Sequence, residues 1–167
     1  MPGESHQFLP ASSGSLGYHG PRALNLTCHP TTLALREAAA DDHTHLAWSF
    51  ADAGPNLTLN LSAGRDEEAC TALNELKATR LDLRTFIAPG GCTLNDDPVK
   101  RDRWTRMAAT KTTRRRCGES AVRFISKHGF DGSVLNWKLS TAEDRAGRPE
   151  DPRKFVVVPG MASYGRT

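Results

Sequence analysis

Short apolar runs alternate with longer amphipathic segments along this chain, and that alternation is the feature that most constrains its fold. The predicted strands lie at 23–28, 45–51, 81–88 and 130–139. The predicted helices lie at 32–40, 66–79 and 103–128, and the buried side of the last is predicted to hold Trp104, Met107, Ala108, Ala121, Phe124 and Ile125. Strand–helix–strand order at this spacing is typical of βα units built on a parallel sheet. The sequence therefore predicts an α/β fold with about four such units.

The composition fits one globular domain. The chain has 167 residues, of which 38% are hydrophobic, and its 22 basic and 19 acidic side chains leave a net charge of +3. Only eight residues are Val or Ile, although the central strands of parallel sheets are normally rich in both. From the distribution of Pro, Gly and Ser we expect a disordered lead-in over 1–22, a folded domain over 23–160 and a disordered tail over 161–167.

Several classes of protein are excluded by what the sequence lacks. No stretch of about 18 apolar residues occurs, so no membrane span is expected. The cysteines form no C-x-x-C pair, and we predict neither a metal site nor a cofactor. The first residues show no basic and no apolar region of a signal peptide. Sequons at Asn25, Asn56 and Asn60 would accept glycans only in the secretory pathway, so these features leave the compartment open.

The segment at 130–138 carries the most specific pattern in the chain. It reads FDGSVLNWK and resembles the signature strand of glycoside hydrolase family 18, the chitinases and chitinase-like lectins, which reads F-D-G-[LIV]-D-[LIV]-D-W-E. Other family landmarks have similar counterparts in the same order, namely THLAWSFA at 44–51, the strand at 81–88 with its Gly90-Gly91 ending, and AVRFISKHG at 121–129. The resemblance covers residues 24–158.

This resemblance implies a (β/α)8 TIM barrel with its active site at the C-terminal ends of the strands. The chain would supply about the first four βα units, which makes an incomplete barrel with open sheet edges. Two alternatives follow: either the chain does not fold alone, or a homo-oligomer or a partner fragment completes the barrel. The resemblance also implies an extracellular protein, although the chain shows no signal peptide.

The departures from the signature imply that catalysis is lost. In the family the last Glu is the general acid, and Lys138 stands at its position; a lysine ammonium is a poor proton donor at neutral pH. The preceding Asp, which holds the substrate's N-acetyl group, is Asn136 here, and the middle Asp is Val134. Only Asp131, the first carboxylate, remains. We predict no active catalytic residue.

Some positions associated with sugar binding are kept. The resemblance assigns substrate contacts to Trp137, Asp131, Gly90 and Gly91, with chitin or a chitooligosaccharide as the ligand. The aromatic residues of the family's first strand are absent from the matching segment, and Cys92 replaces the aromatic residue after Gly-Gly. We therefore predict weak binding at most.

Three functions remain open on the sequence alone. The one we favour is a chitinase-like protein without hydrolase activity. The second is a residual chitinase that works through Asp131 or an unrecognised acid. The third is a basic, non-enzymatic protein that binds polyanions through Arg114–Arg116, within a segment at 100–127 that holds ten Lys and Arg residues. Nucleic acid is not the expected partner, because the chain shows no nucleic-acid reading motif.

Overall fold

A computed structural model shows a parallel sheet with helices packed against it. It describes residues 16–19, 43–61, 64–137, 141–155 and 162–163. The strands are β1 Leu16–His19, β2 His45–Ala53, β3 Leu59–Asn60, β4 Arg84–Pro89, β5 Gly132–Leu135 and β6 Ala162–Ser163. The helices are α1 Gly64–Glu75, α2 Cys92–Asp96, α3 Arg103–Ala109, α4 Lys111–His128 and α5 Asp151–Phe155, with 3-10 turns at Leu76–Ala78 and Glu143–Arg145.

The strand order confirms the predicted α/β class. The sheet runs β1-β2-β4-β5-β6, and every neighbouring pair in that path is parallel. β3 stands off the path and pairs antiparallel with the end of β2. Parallel neighbours with helices between them are the βα arrangement of an incomplete barrel.

Two strands lie where the sequence predicted disorder. β1 falls inside the lead-in 1–22 and pairs with β2, and β6 falls inside the tail 161–167 and pairs with β5. The prediction is wrong for these residues, because backbone hydrogen bonds to a neighbouring strand can hold segments of low β propensity, such as one containing Gly17. The strand predicted at 23–28 and the helix at 32–40 lie outside the described residues, and the other domain boundaries stay predictions.

The core fills the layer between the sheet and the helices. The strands contribute Leu46, Trp48, Ile87 and Leu135, and Trp137 adds to the core just after β5. The helices and the 3-10 turn contribute Leu73, Leu76, Met107, Ala121 and Phe124. Each large apolar side chain that is fully buried stabilises the fold by about 1.5–3 kcal/mol. Large Leu and Trp side chains thus take the place of the Val and Ile residues that the strands lack.

The basic segment forms two helices instead of the single helix predicted over 103–128. Thr110 separates α3 from α4 because its backbone is extended, with φ −133° and ψ 159°. Its hydroxyl accepts a hydrogen bond from the Thr113 amide at 3.1 Å, and the Thr113 hydroxyl accepts one from the Thr110 amide at 3.1 Å. This capping box starts α4. Of the predicted apolar face, Trp104, Met107, Ala108, Ala121 and Phe124 are buried, whereas Ile125 is only partly buried against the core.

The helices of the described ranges are all too short or too polar to cross a bilayer.

Candidate functional site

The carboxyl ends of β2, β4 and β5 meet along one side of the sheet, which we call the C-terminal edge. It consists of residues 49–51, 89–91 and 136–137. The Asn136 amide donates to the Pro89 carbonyl at 2.9 Å, and the Gly91 amide donates to the Asn136 carbonyl at 2.9 Å. The Gly90 amide donates to the Ala51 carbonyl at 3.0 Å. These bonds join the three strand ends into one continuous backbone surface.

Two residues of this edge need to be glycine. Gly90 has φ 114° and Gly91 has φ 85°, a region that L-residues rarely adopt. A Cβ on Gly90 would overlap the Asn136 carbonyl, and a Cβ on Gly91 would lie 2.7 Å from the Phe50 ring. The glycines therefore allow close backbone packing beside Asn136. Their contact with a ligand stays a prediction.

The signature side chains of β5 alternate between the two faces of the sheet. Leu135 and Trp137 belong to the core that the helices cover, and Trp137 is only 7% exposed. Because neighbouring residues of a strand point to opposite faces, Val134 and Asn136 lie on the other face. Val134 is buried there and Asn136 is half-buried. Lys138 lies outside the described residues. The burial of Trp137 argues against the substrate contact predicted for its ring.

Asp131 lies at the opposite end of β5 from Asn136. Its Oδ2 accepts a hydrogen bond from the Thr85 amide at 2.8 Å and lies 3.2 Å from Lys77 Nζ. Its Oδ1 is 3.7 Å from Arg84 Nη1. Asp131 and Asn136 are five residues apart, which is about 16 Å along a strand that rises about 3.3 Å per residue. The structure thus brings Asn136 and the two glycines together and leaves Asp131 away from them.

The surroundings of Asp131 keep its carboxylate ionised. Burial opposes ionisation, but the hydrogen bond from the Thr85 amide, together with the hydrogen bond and charge of Lys77, outweighs it and holds the pKa of Asp131 below its ordinary value. An ionised carboxylate cannot donate a proton at neutral pH. Asp131 therefore serves to join the starts of β4 and β5.

Asp52, Lys100 and Arg103 form an ion-pair cluster that the sequence analysis did not predict. Lys100 Nζ lies 2.7 Å from Asp52 Oδ2, and Arg103 Nη1 lies 3.5 Å from Asp52 Oδ1. Arg103 is 8% exposed and also donates to the Ala53 carbonyl. The partners are 48 and 51 positions apart in the chain, so no local sequence pattern could signal the cluster. It fixes the end of β2 against the start of α3, and both carboxylate oxygens are engaged.

The three arginines at the start of α4 do not act as one group. Arg114 donates to the Ala108 carbonyl at 2.6 Å, and Arg115 pairs with Glu119 at 2.8 Å. Arg116 is exposed. Two of the three side chains are thus engaged locally, and polyanion binding by Arg114–Arg116 stays a prediction.

The described residues include neither a metal-binding cluster nor a thiol that is ionised at neutral pH. Across these ranges, no group of three or more His, Cys, Asp or Glu side chains is arranged to hold a metal ion. Cys70 and Cys117 are buried free thiols, and burial raises the pKa of Cys70 to about 12 and that of Cys117 to about 11. Both stay protonated and unreactive at neutral pH. Cys28 lies outside the described residues, as does the side chain of Cys92.

Comparisons with known proteins agree on one family. The family model described as glycosyl hydrolases family 18 matches residues 18–158. Chitotriosidase-1 of Mus musculus is 34% identical over 115 residues, which are 69% of this chain and 23% of that protein. Catalytic domain 2 of a Group II chitinase from Ostrinia furnacalis has a TM-score of 0.64 at 20% identity, over 85% of this chain and 37% of that one. A human pseudo-chitinase with retained chitooligosaccharide binding properties has a TM-score of 0.59 at 20% identity, over 75% of this chain and 33% of that one.

The family model matches a slightly longer segment than the one that the sequence resemblance indicated, and the chain covers only part of each relative. It begins at residue 18, inside β1, and not at residue 24. The chain spans 12–23% of the length of the first curated relatives it matches. The solved structures share with this chain the fold of the part of the barrel that it covers.

Proposed function

The chain belongs to glycosyl hydrolase family 18, and from that membership we propose that it is a chitinase-like protein that does not hydrolyse chitin and binds chitooligosaccharides weakly at its C-terminal edge. One observation carries the proposal. The only carboxylate kept from the family signature, Asp131, lies at the opposite end of β5 from Asn136 and is held there by Thr85 and Lys77.

The substitutions at the reacting end of the strand support the loss of hydrolysis. Lys138 replaces the general acid of the family signature, and its positive charge would oppose the charge that develops on the sugar ring. Asn136 can donate a hydrogen bond but cannot supply the negative charge of the family's Asp. Each loss is expected to lower the rate by about 10²–10⁴-fold, and the two do not add.

Weak binding is supported by the backbone and the Asn136 side chain at the C-terminal edge. The two glycines bring backbone close to Asn136, whose amide could donate to the carbonyl of an N-acetyl group. The burial of Trp137 removes one aromatic surface on which a sugar could stack. The human pseudo-chitinase named above provides a precedent for binding without hydrolysis in the same fold.

Calorimetric titration of the full chain with chitohexaose tests the proposal. We expect saturable binding with a Kd of about 0.1–1 mM, weakened at least about fivefold by Asn136→Ala. The matched control is Asn56→Ala, an exposed asparagine in the turn that follows β2, which should leave the Kd unchanged. Absence of saturable binding, or equal weakening in both variants, would overturn binding at the C-terminal edge.

A further inference from the structure

A cavity of about 600 Å³ opens on the outer layer of the protein, between β3, α1 and α4. It shares no residue with the C-terminal edge. Leu59, Leu61 and Phe124 form its apolar floor, and Leu59 and Phe124 are buried. The ring of His128 lies against that of Phe124, with the centroids 4.4 Å apart. The volume falls within the range of small-molecule sites, and the lining combines these three apolar side chains with seven polar or charged ones.

The wall between β3 and α4 is fixed by a long-range contact. The Leu59 amide donates to the Ser120 hydroxyl at 3.0 Å, across 61 positions of the chain. Thr58 and Asn60 flank Leu59, and both line the cavity. The Asn60 amide group donates to the Thr58 carbonyl at 3.3 Å, which orders this side of the opening. The cavity is thus framed by elements that the core already holds in position.

The charges at the cavity mouth leave one cation uncompensated. Lys127 Nζ lies 3.0 Å from Glu67 Oε1, so these two charges balance one another. His128 is half-buried, and chiefly because of that burial its pKa lies below the ordinary histidine value, so it is neutral at pH 7. Arg123 is exposed at the mouth and makes no ion pair with any other residue in the described part of the chain.

We propose that this cavity binds a small organic carboxylate with an apolar or aromatic body. The body would lie on the Leu59 and Phe124 side chains, and the carboxylate would receive the guanidinium of Arg123. A guanidinium presents two parallel N–H groups to a carboxylate, which gives both orientation and charge complementarity. The single uncompensated cation matches a monoanion better than a phosphate monoester, which carries about −1.5 to −2 at neutral pH.

A pair of nearly isosteric probes tests the proposal on the full chain. 2-Naphthylacetate carries the carboxylate, whereas 2-naphthylacetamide has the same aromatic body without the charge. Titration followed by calorimetry should show saturable binding of the acid and binding of the amide that is at least about tenfold weaker. Equal affinities for the two probes would overturn the carboxylate assignment, and so would tighter binding of 2-naphthyl phosphate than of the acid.

Two matched charge variants locate the site. Arg123→Gln should weaken binding of the acid at least about tenfold, whereas Arg116→Gln should change it less than about twofold. Arg116 is exposed two turns earlier on α4 and does not line the cavity. Both variants change exposed side chains and should melt at the temperature of the parent chain. No saturable binding by the parent chain, or equal loss in both variants, would overturn the site.

Discussion

At the scale of single residues, the contacts of Asp131 indicate a structural role and not a catalytic one. Its carboxylate links β4 to β5 through Thr85 and Lys77, so Asp131→Asn should lower the free energy of unfolding by about 1–3 kcal/mol. Urea denaturation measures this loss. Asp82→Asn is the control, because the Asp82 side chain is 66% exposed and pairs only at the surface with Arg80. An Asp131→Asn variant as stable as the parent would contradict the structural role.

The same residue predicts a pH dependence. The pKa of Asp131 is lower in the folded state than in the unfolded chain, so its ionised form stabilises the fold. That contribution is fully present above the ordinary carboxyl pKa of about 4 and is lost as pH falls through the lower folded-state pKa. The stability difference between the parent and Asp131→Asn should therefore shrink below about pH 4. A difference that grows towards acid pH would contradict this sign.

The glycines of the C-terminal edge give a second residue-level prediction. Gly129 also has a positive φ, of 76°, but a Cβ there would meet nothing within 4 Å. Gly129→Ala should therefore cost only the backbone strain, about 1–2 kcal/mol. Gly90→Ala adds a clash with the Asn136 carbonyl and should cost at least about 2 kcal/mol more. Equal losses in thermal denaturation would show that the close packing at this edge is not needed.

At the scale of elements, the α3–α4 boundary shows what residue patterns predict and what they miss. The apolar spacing predicted most of the buried face of this segment, because each of the two helices keeps helical periodicity on its own side of Thr110. The break at Thr110 was missed because the local sequence contains neither Gly nor Pro, and a threonine cap needs only one extended residue. The strands predicted at 45–51 and 81–88 are found at His45–Ala53 and Arg84–Pro89, so the second begins three residues later than predicted. Both form although they are poor in Val and Ile, because Leu, Trp and Ala side chains also fill a sheet–helix layer.

The capping box can be tested directly. Thr110→Ala removes the hydroxyl that accepts from the Thr113 amide and should lower the free energy of unfolding by about 1 kcal/mol. Thr112→Ala, at an exposed position of the same turn, should be neutral or slightly stabilising, since alanine has the higher helix propensity. If the two variants are equally stable in chemical denaturation, the cap does not define the start of α4.

At the scale of the whole molecule, the fold could be predicted because four landmarks match one family in order, whereas the candidate site could be predicted only in part. The signature strand predicts Asn136 and Lys138 as site positions by alignment alone; Asn136 lies at the C-terminal edge, and Lys138 lies outside the described residues. Alignment could not show that Trp137 packs into the core, that Asp52 pairs with residues about 50 positions away, or that a cavity opens between β3 and α4, because each depends on tertiary packing. Completion of the barrel by a second copy stays a prediction.

The central proposal for this member of the family is that it folds but does not hydrolyse chitooligosaccharides. The most direct test incubates chitohexaose with the full chain, shown beforehand to melt cooperatively, and follows the oligosaccharide by mass spectrometry. We predict that chitohexaose stays intact at all times, as it does without protein. Time-dependent release of shorter oligosaccharides that disappears in Asn136→Ala would contradict the account and show that the C-terminal edge retains catalysis.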